Sequence, residues 1–141
     1  MKLHTYLNFN GNCAEAFAYY EKHLGAKILG SMTYGQMPGA TSLPPEQVNL
    51  VLHARIALGE TYLMASDVPP NMPWEPMRSA YLTLNVDSSA DAERIHTALA
   101  DGGEIFMALQ ETFYAHKFSM LRDKFGINWM VIHEKPMPTP A

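Results

Sequence analysis

Several side chains that could do chemistry lie close together near the end of the chain, within Gln110-Glu-Thr-Phe-Tyr-Ala-His116. The imidazole of His116 is a candidate general acid or base, and the carboxylate of Glu111 is a candidate catalytic partner. Gln110 and Tyr114 carry hydrogen-bonding groups that would orient a ligand. On a regular strand Gln110 and Tyr114 share the face of His116. Glu111 lies on the other face, so it reaches His116 only if the strand contains a bulge.

Structural interpretations of these polar residues remain open beside the functional ones. Gln110 and Glu111 would equally pair across a sheet with the basic side chains of Arg122 and Lys124. A further histidine, His53, lies inside a strand-like segment and is either a hydrogen-bonded structural residue or a donor to a bound ligand.

The elements that must position the first group form a hairpin at the end of the chain. The segments 104–111, 113–121 and 127–133 are rich in β-branched and aromatic residues, which is typical of strands. Between the last two segments, Asp123-Lys-Phe-Gly126 supplies a glycine for the positive φ that a tight return needs. In the first half, the predicted strands are 26–34, 48–58 and 61–65. The range 35–45 is a predicted loop.

The composition is that of an ordinary globular protein. The 141 residues include 48% hydrophobic and 17% charged residues, and the formal net charge is −4. A chain without basic excess is not suited to nucleic acid, and no apolar run has the length of a membrane span. A single cysteine excludes an intramolecular disulfide and a Cys-based zinc cluster. These features predict a cytoplasmic protein with no nucleic-acid or membrane partner.

The same order of elements, strand-helix-strand-strand-strand, occurs twice with an offset of about 77 residues. Leu7-Asn-Phe9 matches Leu84-Asn-Val86. The first predicted helix begins after Asn12, which is expected to cap it with Glu15, and ends at Gly25; the second covers 89–100. Neither half covers its own apolar face, so two modules packed edge to edge, or one exchanged with a second chain, are expected.

The predicted fold class is therefore α+β, with tandem βαβββ modules forming a curved, partly open mixed sheet around a cavity. We expect one domain over 1–135. Module one covers about 1–67, a proline-rich linker 68–78 and module two about 79–135, and a disordered tail follows at 136–141. The concave surface between the modules is the expected ligand site.

Four separated motifs resemble one protein family in the same order along the chain. They are the segment from Leu7-Asn-Phe-Asn-Gly-Asn12 to Glu21, Leu63-Met-Ala-Ser-Asp67, Gln110 to His116, and Asp123-Lys-Phe-Gly-Ile-Asn-Trp-Met130. With the tandem modules, they are similar to the PhnB-like branch of the glyoxalase/bleomycin resistance/dioxygenase (vicinal oxygen chelate) superfamily. Members of that branch are often labelled 3-demethylubiquinone 3-methyltransferase-like. The chain has no glycine-rich methyl-donor motif after its first strand, so the label does not imply that chemistry.

The resemblance also implies where a metal ion would lie. Metal-using members of the superfamily take ligands from the first and last strands of each module, and the corresponding positions here are His4, Met64, Tyr81 and Met130. Only His4 is a ligand of the usual type, since thioethers and a neutral phenol do not suit hard divalent ions. No cofactor is predicted, and a divalent metal is the alternative.

The ten methionines, with several aromatic residues, favour an apolar cavity if they do not simply fill the core. The predicted cavity residues, beyond those at the metal positions, are Phe113, Trp129 and the polar residues named above. The resulting hypothesis is a protein that binds a small apolar or aromatic molecule without a metal. The alternative is a glyoxalase-like isomerase or lyase that uses His4, His53 and Glu111 around a metal, or His116 alone. The resemblance and the exposed module edges also predict a homodimer.

Overall fold

The computed structural model describes residues 1–136. The chain divides into two compact units, with the boundary between Glu75 and Pro76, inside the segment predicted as a linker. Residues 137–141, which make up most of the predicted disordered tail, lie outside the described residues. No helix among residues 1–136 combines the length and the hydropathy that crossing a bilayer requires.

The first unit contains a mixed four-stranded sheet with the strand order β1-β4-β3-β2. β1 is parallel to β4, and the other neighbours are antiparallel. Its elements are β1 (Thr5–Phe9), α1 (Cys13–Leu24), β2 (Lys27–Thr33), a 3₁₀ turn (Tyr34–Gln36), α2 (Pro45–Val48), β3 (Val51–Leu58) and β4 (Thr61–Asp67).

The second unit repeats this topology with the strand order β5-β8-β7-β6. Its elements are β5 (Leu82–Asn85), α3 (Ser89–Ala100), β6 (Glu104–Gln110), β7 (Ala115–Arg122) and β8 (Asn128–Glu134). Even the register is equivalent, because Thr5 lies opposite Leu63 in the first unit and Leu82 opposite Trp129 in the second. The predicted repeat and the α+β class are confirmed, and neither sheet closes into a barrel.

Each sheet packs one face against its helix, and alternation along the strands decides which residues are buried. In the first unit Leu7 and Phe9 of β1 are 2% and 0% exposed, while Tyr6 between them is 47% exposed. From α1, the core receives Cys13, Ala16, Phe17 and Tyr20; from α3, that of the second unit receives Ala92, Ile95 and Leu99. Gly25, with φ of 69°, ends α1 in the left-handed conformation, as predicted.

Three local predictions were wrong. The loop predicted over 35–45 is present at 37–44, between the 3₁₀ turn and α2. The strand predicted to start at 48 begins only at Val51, because Pro44-Pro45 sets the φ of a first helical turn and residues 45–48 form α2. The side chain of Asn12 makes no capping hydrogen bond, so the expected pair with Glu15 does not form. Residues 111–114 break the strand on which Gln110 and His116 were expected to share a face.

Candidate functional site

The face of the first sheet that points away from α1 carries a cluster of aromatic, basic and methionine side chains. We call it the open face and define it by His4, Tyr6, Met32, His53, Arg55, Tyr62 and Met64. Strand alternation places His53 and Arg55 of β3 on this face, because Ala54 between them is buried. The register then sets Arg55 beside Met64 of β4 and Gly30 of β2.

Hydrogen bonds and ring contacts order the side chains of the open face. The hydroxyl of Tyr6 lies 3.2 Å from Nδ1 of His53. The hydroxyl of Tyr62 lies 3.0 Å from Nε2 of His4, and these two rings stack with centroids 4.2 Å apart. The Arg55 guanidinium carbon lies 4.7 Å from the centroid of Tyr62, a cation–π distance. The face therefore presents oriented donors on an aromatic surface.

A pocket of about 360 Å³ opens at the edge of this face. Residues 29–32 of β2 form one wall, and His53 and Arg55 form the other. Gly30 lies opposite Arg55, and a Cβ on Gly30 would meet no atom within 4 Å. Because glycine has no side chain, space remains beside the guanidinium of Arg55. The volume of the pocket is within the range of small-molecule sites.

Asp67, on the opposite face of the sheet, has a structural role. It is 2% exposed, and its two carboxylate oxygens accept hydrogen bonds from the backbone N–H groups of Cys13 and Val51 at 2.9 and 2.8 Å. Its backbone carbonyl accepts a third from the Tyr34 hydroxyl. Burial, with a smaller effect of this carboxylate, raises the pKa of the Cys13 thiol to about 12. Neither group is poised for chemistry.

The two predicted catalytic residues, His116 and Glu111, contact different partners in the structure. His116 lies at a register shift in β7, and its ring centroid is 4.8 Å from that of His133. His133 in turn lies 3.0 Å from the hydroxyl of Ser89, the first residue of α3. Glu111 forms an ion pair with Lys135 at 3.1 Å. β7 has a register shift between Ala115 and Lys117, the kind of irregularity that a contact between Glu111 and His116 would require, but the two residues have different partners.

The other polar predictions at this end of the chain also find different partners. Gln110 donates to the carbonyl of Ala108 at 3.2 Å. Arg122, a suggested partner of Gln110 and Glu111, lies 4.0 Å from the carboxylate of Glu104 and donates to the carbonyl of Met77 at 2.7 Å. The contacts of Arg122 thus join β7 to β6 and to the segment before β5.

The predicted aromatic cavity residues of the second unit fall in different environments. Trp129 belongs to the core rather than to an accessible wall, because it is 1% exposed and its indole N–H donates to Asp123 at 2.8 Å. Tyr81 packs edge to face on Phe106, with centroids 6.4 Å apart. Phe113 is 89% exposed. Tyr114 is half-buried against Phe118, with their ring centroids 5.7 Å apart.

The donors at the family's metal positions do not fit a hard divalent ion. Across the parallel strand pairs, Met64 lies opposite Tyr6, and Met130 lies opposite Thr83. The Thr83 hydroxyl is 3.8 Å from the Met130 sulfur. Thioethers and neutral hydroxyls are weak ligands for such ions. Among residues 1–136, no group of three or more histidine, cysteine, aspartate or glutamate side chains is arranged to hold a metal.

Sequence reasoning singled out His4, His53 and Met64 among the residues of this face. It missed Tyr6, Gly30 and Arg55. The alternation His-Ala-Arg-Ile in residues 53–56 already places Arg55 on the face of His53. Gly30 gives no comparable signal, since its position opposite Arg55 depends on a register shift between β2 and β3.

Residues 1–132 match the model of the family described as 3-demethylubiquinone-9 3-methyltransferase. The chain belongs to this family. Protein YjdN of Escherichia coli (strain K12) is 36% identical over 151 residues, an alignment that covers 99% of each chain. The methyltransferase description is the name of the family and identifies no reaction of this chain.

Solved structures of similar proteins show which fold this family shares. Protein PA1353 from Pseudomonas aeruginosa is 41% identical, with a TM-score of 0.87 over 96% of this chain and 99% of that one. The PhnB protein from Bacillus cereus is 25% identical, with a TM-score of 0.75 over 94% and 99%. A glyoxylase/bleomycin resistance protein/dioxygenase domain from Frankia sp. EAN1pec, 15% identical with a TM-score of 0.65 over 96% and 98%, shares the fold. The resemblance to PhnB-like proteins is confirmed, and the fold is the one seen in the glyoxylase/bleomycin resistance protein/dioxygenase domain.

Proposed function

We propose that this protein binds a small apolar or aromatic molecule on the open face of the first sheet, without a metal ion. The observation that carries the proposal is the pocket of about 360 Å³ between residues 29–32 and the pair His53 and Arg55. Small-molecule sites are concave and mostly apolar, with a few polar groups that orient the ligand. This pocket has that composition.

Exposed apolar side chains at the pocket support an apolar ligand. Leu29 is 52% exposed and Met32 is 42% exposed, both on the edge strand β2. A ligand that covers them removes apolar surface from water, at about 25 cal/mol per Å². Methionine adapts its shape readily and packs well on aromatic rings. The pocket therefore favours a flat or greasy molecule.

A thermal-shift and ligand-detected NMR screen of small aromatic and aliphatic compounds tests the proposal. We expect some aromatic compounds to raise the melting temperature of the wild-type protein. The variant Gly30→Leu fills the pocket, and no backbone strain is expected because Gly30 does not have a positive φ. We expect it to lose binding while its circular dichroism spectrum is kept.

The control is Ala18→Leu, which adds a larger side chain on the exposed side of α1. It should bind every compound that the wild-type protein binds. The proposal is rejected if no compound shifts the wild-type protein, or if Gly30→Leu binds as well as the control.

A second candidate function, acid–base catalysis on the bound molecule, is favoured by the hydrogen bond between Tyr6 and His53. A phenol and an imidazole in contact on an accessible face can relay a proton to or from a ligand. Turnover of a bound compound by the wild-type protein, abolished in His53→Gln with binding retained, would support catalysis. Binding without turnover would reject catalysis and retain the binding function.

A further inference from the structure

Arg55 carries a charge without a counter-charge in the part of the chain that the structure describes. The ion pairs found within residues 1–136 join other residues, and the contact found for the Arg55 guanidinium is the ring of Tyr62. The side chain is exposed and lines the pocket. A cation–π contact leaves the N–H groups at the guanidinium edge available to a ligand.

The backbone around Arg55 leaves room for such a ligand. Opposite the arginine, β2 carries Gly30 at a register shift, so the residue that pairs with Arg55 has no side chain to fill the space beside it. Arginine presents its donors in a planar fork that matches the two oxygens of a carboxylate.

His53 adds a second donor on the same face. Its Nδ1 atom lies 3.2 Å from the Tyr6 hydroxyl. In the tautomer in which Tyr6 donates to Nδ1, the proton of the imidazole is on Nε2, which then donates to a ligand. His53 and Arg55 are two residues apart on β3, so their side chains point to the same side.

We infer that the ligand is an amphipathic anion, with a carboxylate-like group bound by Arg55 and His53 and an apolar body lying over Leu29 and Met32. This inference rests on the proposed function and specifies the ligand class for the same pocket. The four side chains lie on adjacent strands, and Met32 is directly opposite His53. The two donors suit the anionic group of such a molecule, and the apolar wall next to them suits its apolar body.

Matched pairs of probes test the inference: naphthalene-2-carboxylate against naphthalene-2-carboxamide, and benzoate against benzamide. Each is titrated into the wild-type protein by calorimetry. The members of a pair have nearly the same shape and differ in charge. We expect the carboxylate to bind at least about tenfold more tightly than its amide, the difference typical of a charge-assisted hydrogen bond.

Variants then assign the preference to the arginine. Arg55→Met retains an apolar stem and should remove the preference for the carboxylate while amide binding changes little. Arg94→Met makes the same charge change on α3 in the second unit, and it should keep the wild-type preference. Retained preference in Arg55→Met would reject the role of Arg55.

The outcomes also separate this inference from the proposed function. Equal binding of amide and carboxylate to the wild-type protein rejects the anionic ligand and leaves apolar binding intact. No binding of any of the four probes to the wild-type protein rejects the anionic ligand, and the compound screen then decides the proposed function separately.

Discussion

Cys13 and Asp67 are side chains with reactive chemistry that the fold has placed in the core. Cys13 is 0% exposed, and burial, with a smaller contribution from the nearby Asp67 carboxylate, raises the pKa of the thiol to about 12. The thiolate, which is the nucleophilic form, is therefore disfavoured at neutral pH. The helix N-terminus, which could have activated the thiol, is occupied by the carboxylate instead.

The raised pKa of Cys13 predicts how both reactivity and stability change with pH. Between pH 8 and 9 iodoacetamide should alkylate the native protein more than roughly a hundredfold more slowly than the urea-unfolded chain, because burial and the missing thiolate both protect the thiol. The folded state holds this proton more tightly than the unfolded state. The free energy of unfolding should therefore fall as pH rises from 9.0 towards about 12.

Urea unfolding of the wild-type protein and of Cys13→Ala across this pH range checks the second part. The variant should lose that component of the pH dependence. If the free energy of unfolding falls equally with pH in the two proteins, a group other than Cys13 causes the pH dependence.

At the scale of elements, two buried aspartates each accept several hydrogen bonds that fix neighbouring segments. Asp67, at the end of β4, binds the first N–H of α1 and the first N–H of β3. Asp123 acts locally in the β7–β8 turn, where its carboxylate accepts from the N–H groups of Phe125 and Ile127 and from the indole of Trp129. The family motifs that contain these aspartates thus have a structural explanation.

Replacement of Asp67 tests which residue holds the start of α1. Asp67→Ala leaves two buried N–H donors without an acceptor, so we expect the free energy of unfolding to fall by about 3 kcal/mol. Asn12→Ala removes a side chain that makes no capping bond, and whose buried oxygen has no partner, so we expect less than about 0.5 kcal/mol. Urea denaturation gives both values, and a larger loss in Asn12→Ala would contradict the capping role assigned to Asp67.

At the scale of the whole molecule, each unit ends its sheet in an exposed edge strand. On β6, Ile105, Phe106 and Met107 are 49%, 41% and 38% exposed. Open edges with apolar side chains promote association, and proteins usually protect them. This supports the homodimer expected from the sequence, which we retain as a proposal.

Light scattering coupled to gel filtration measures the mass directly. We expect twice the mass of the 15.8 kDa chain. The variant Phe106→Lys should shift the mass towards that of the monomer, because a charge on the edge opposes pairing. A monomeric wild-type protein at micromolar concentration would reject the homodimer. A Phe106→Lys variant that is still fully dimeric would show that the β6 edge is not the dimer interface.

Much of the architecture was predictable because its signals are local. The repeat, both long helices and the final hairpin follow from periodicity, from Gly25 at a helix end and from Gly126, whose φ is 92°. The short helix α2 was missed because a loop rich in proline can also begin a helical turn. The cap of α1 was assigned to Asn12, its neighbour in sequence, whereas the acceptor is Asp67.

The sequence by itself determined the two βαβββ units and which residues alternate towards the core, because hydrophobic periodicity and turn residues act over a few positions. Only the tertiary structure decided the surroundings of each candidate. It placed His116 beside His133, Trp129 in the core and Arg55 opposite Gly30. These outcomes depend on strand register and register shifts, which are set by packing between segments far apart in the chain.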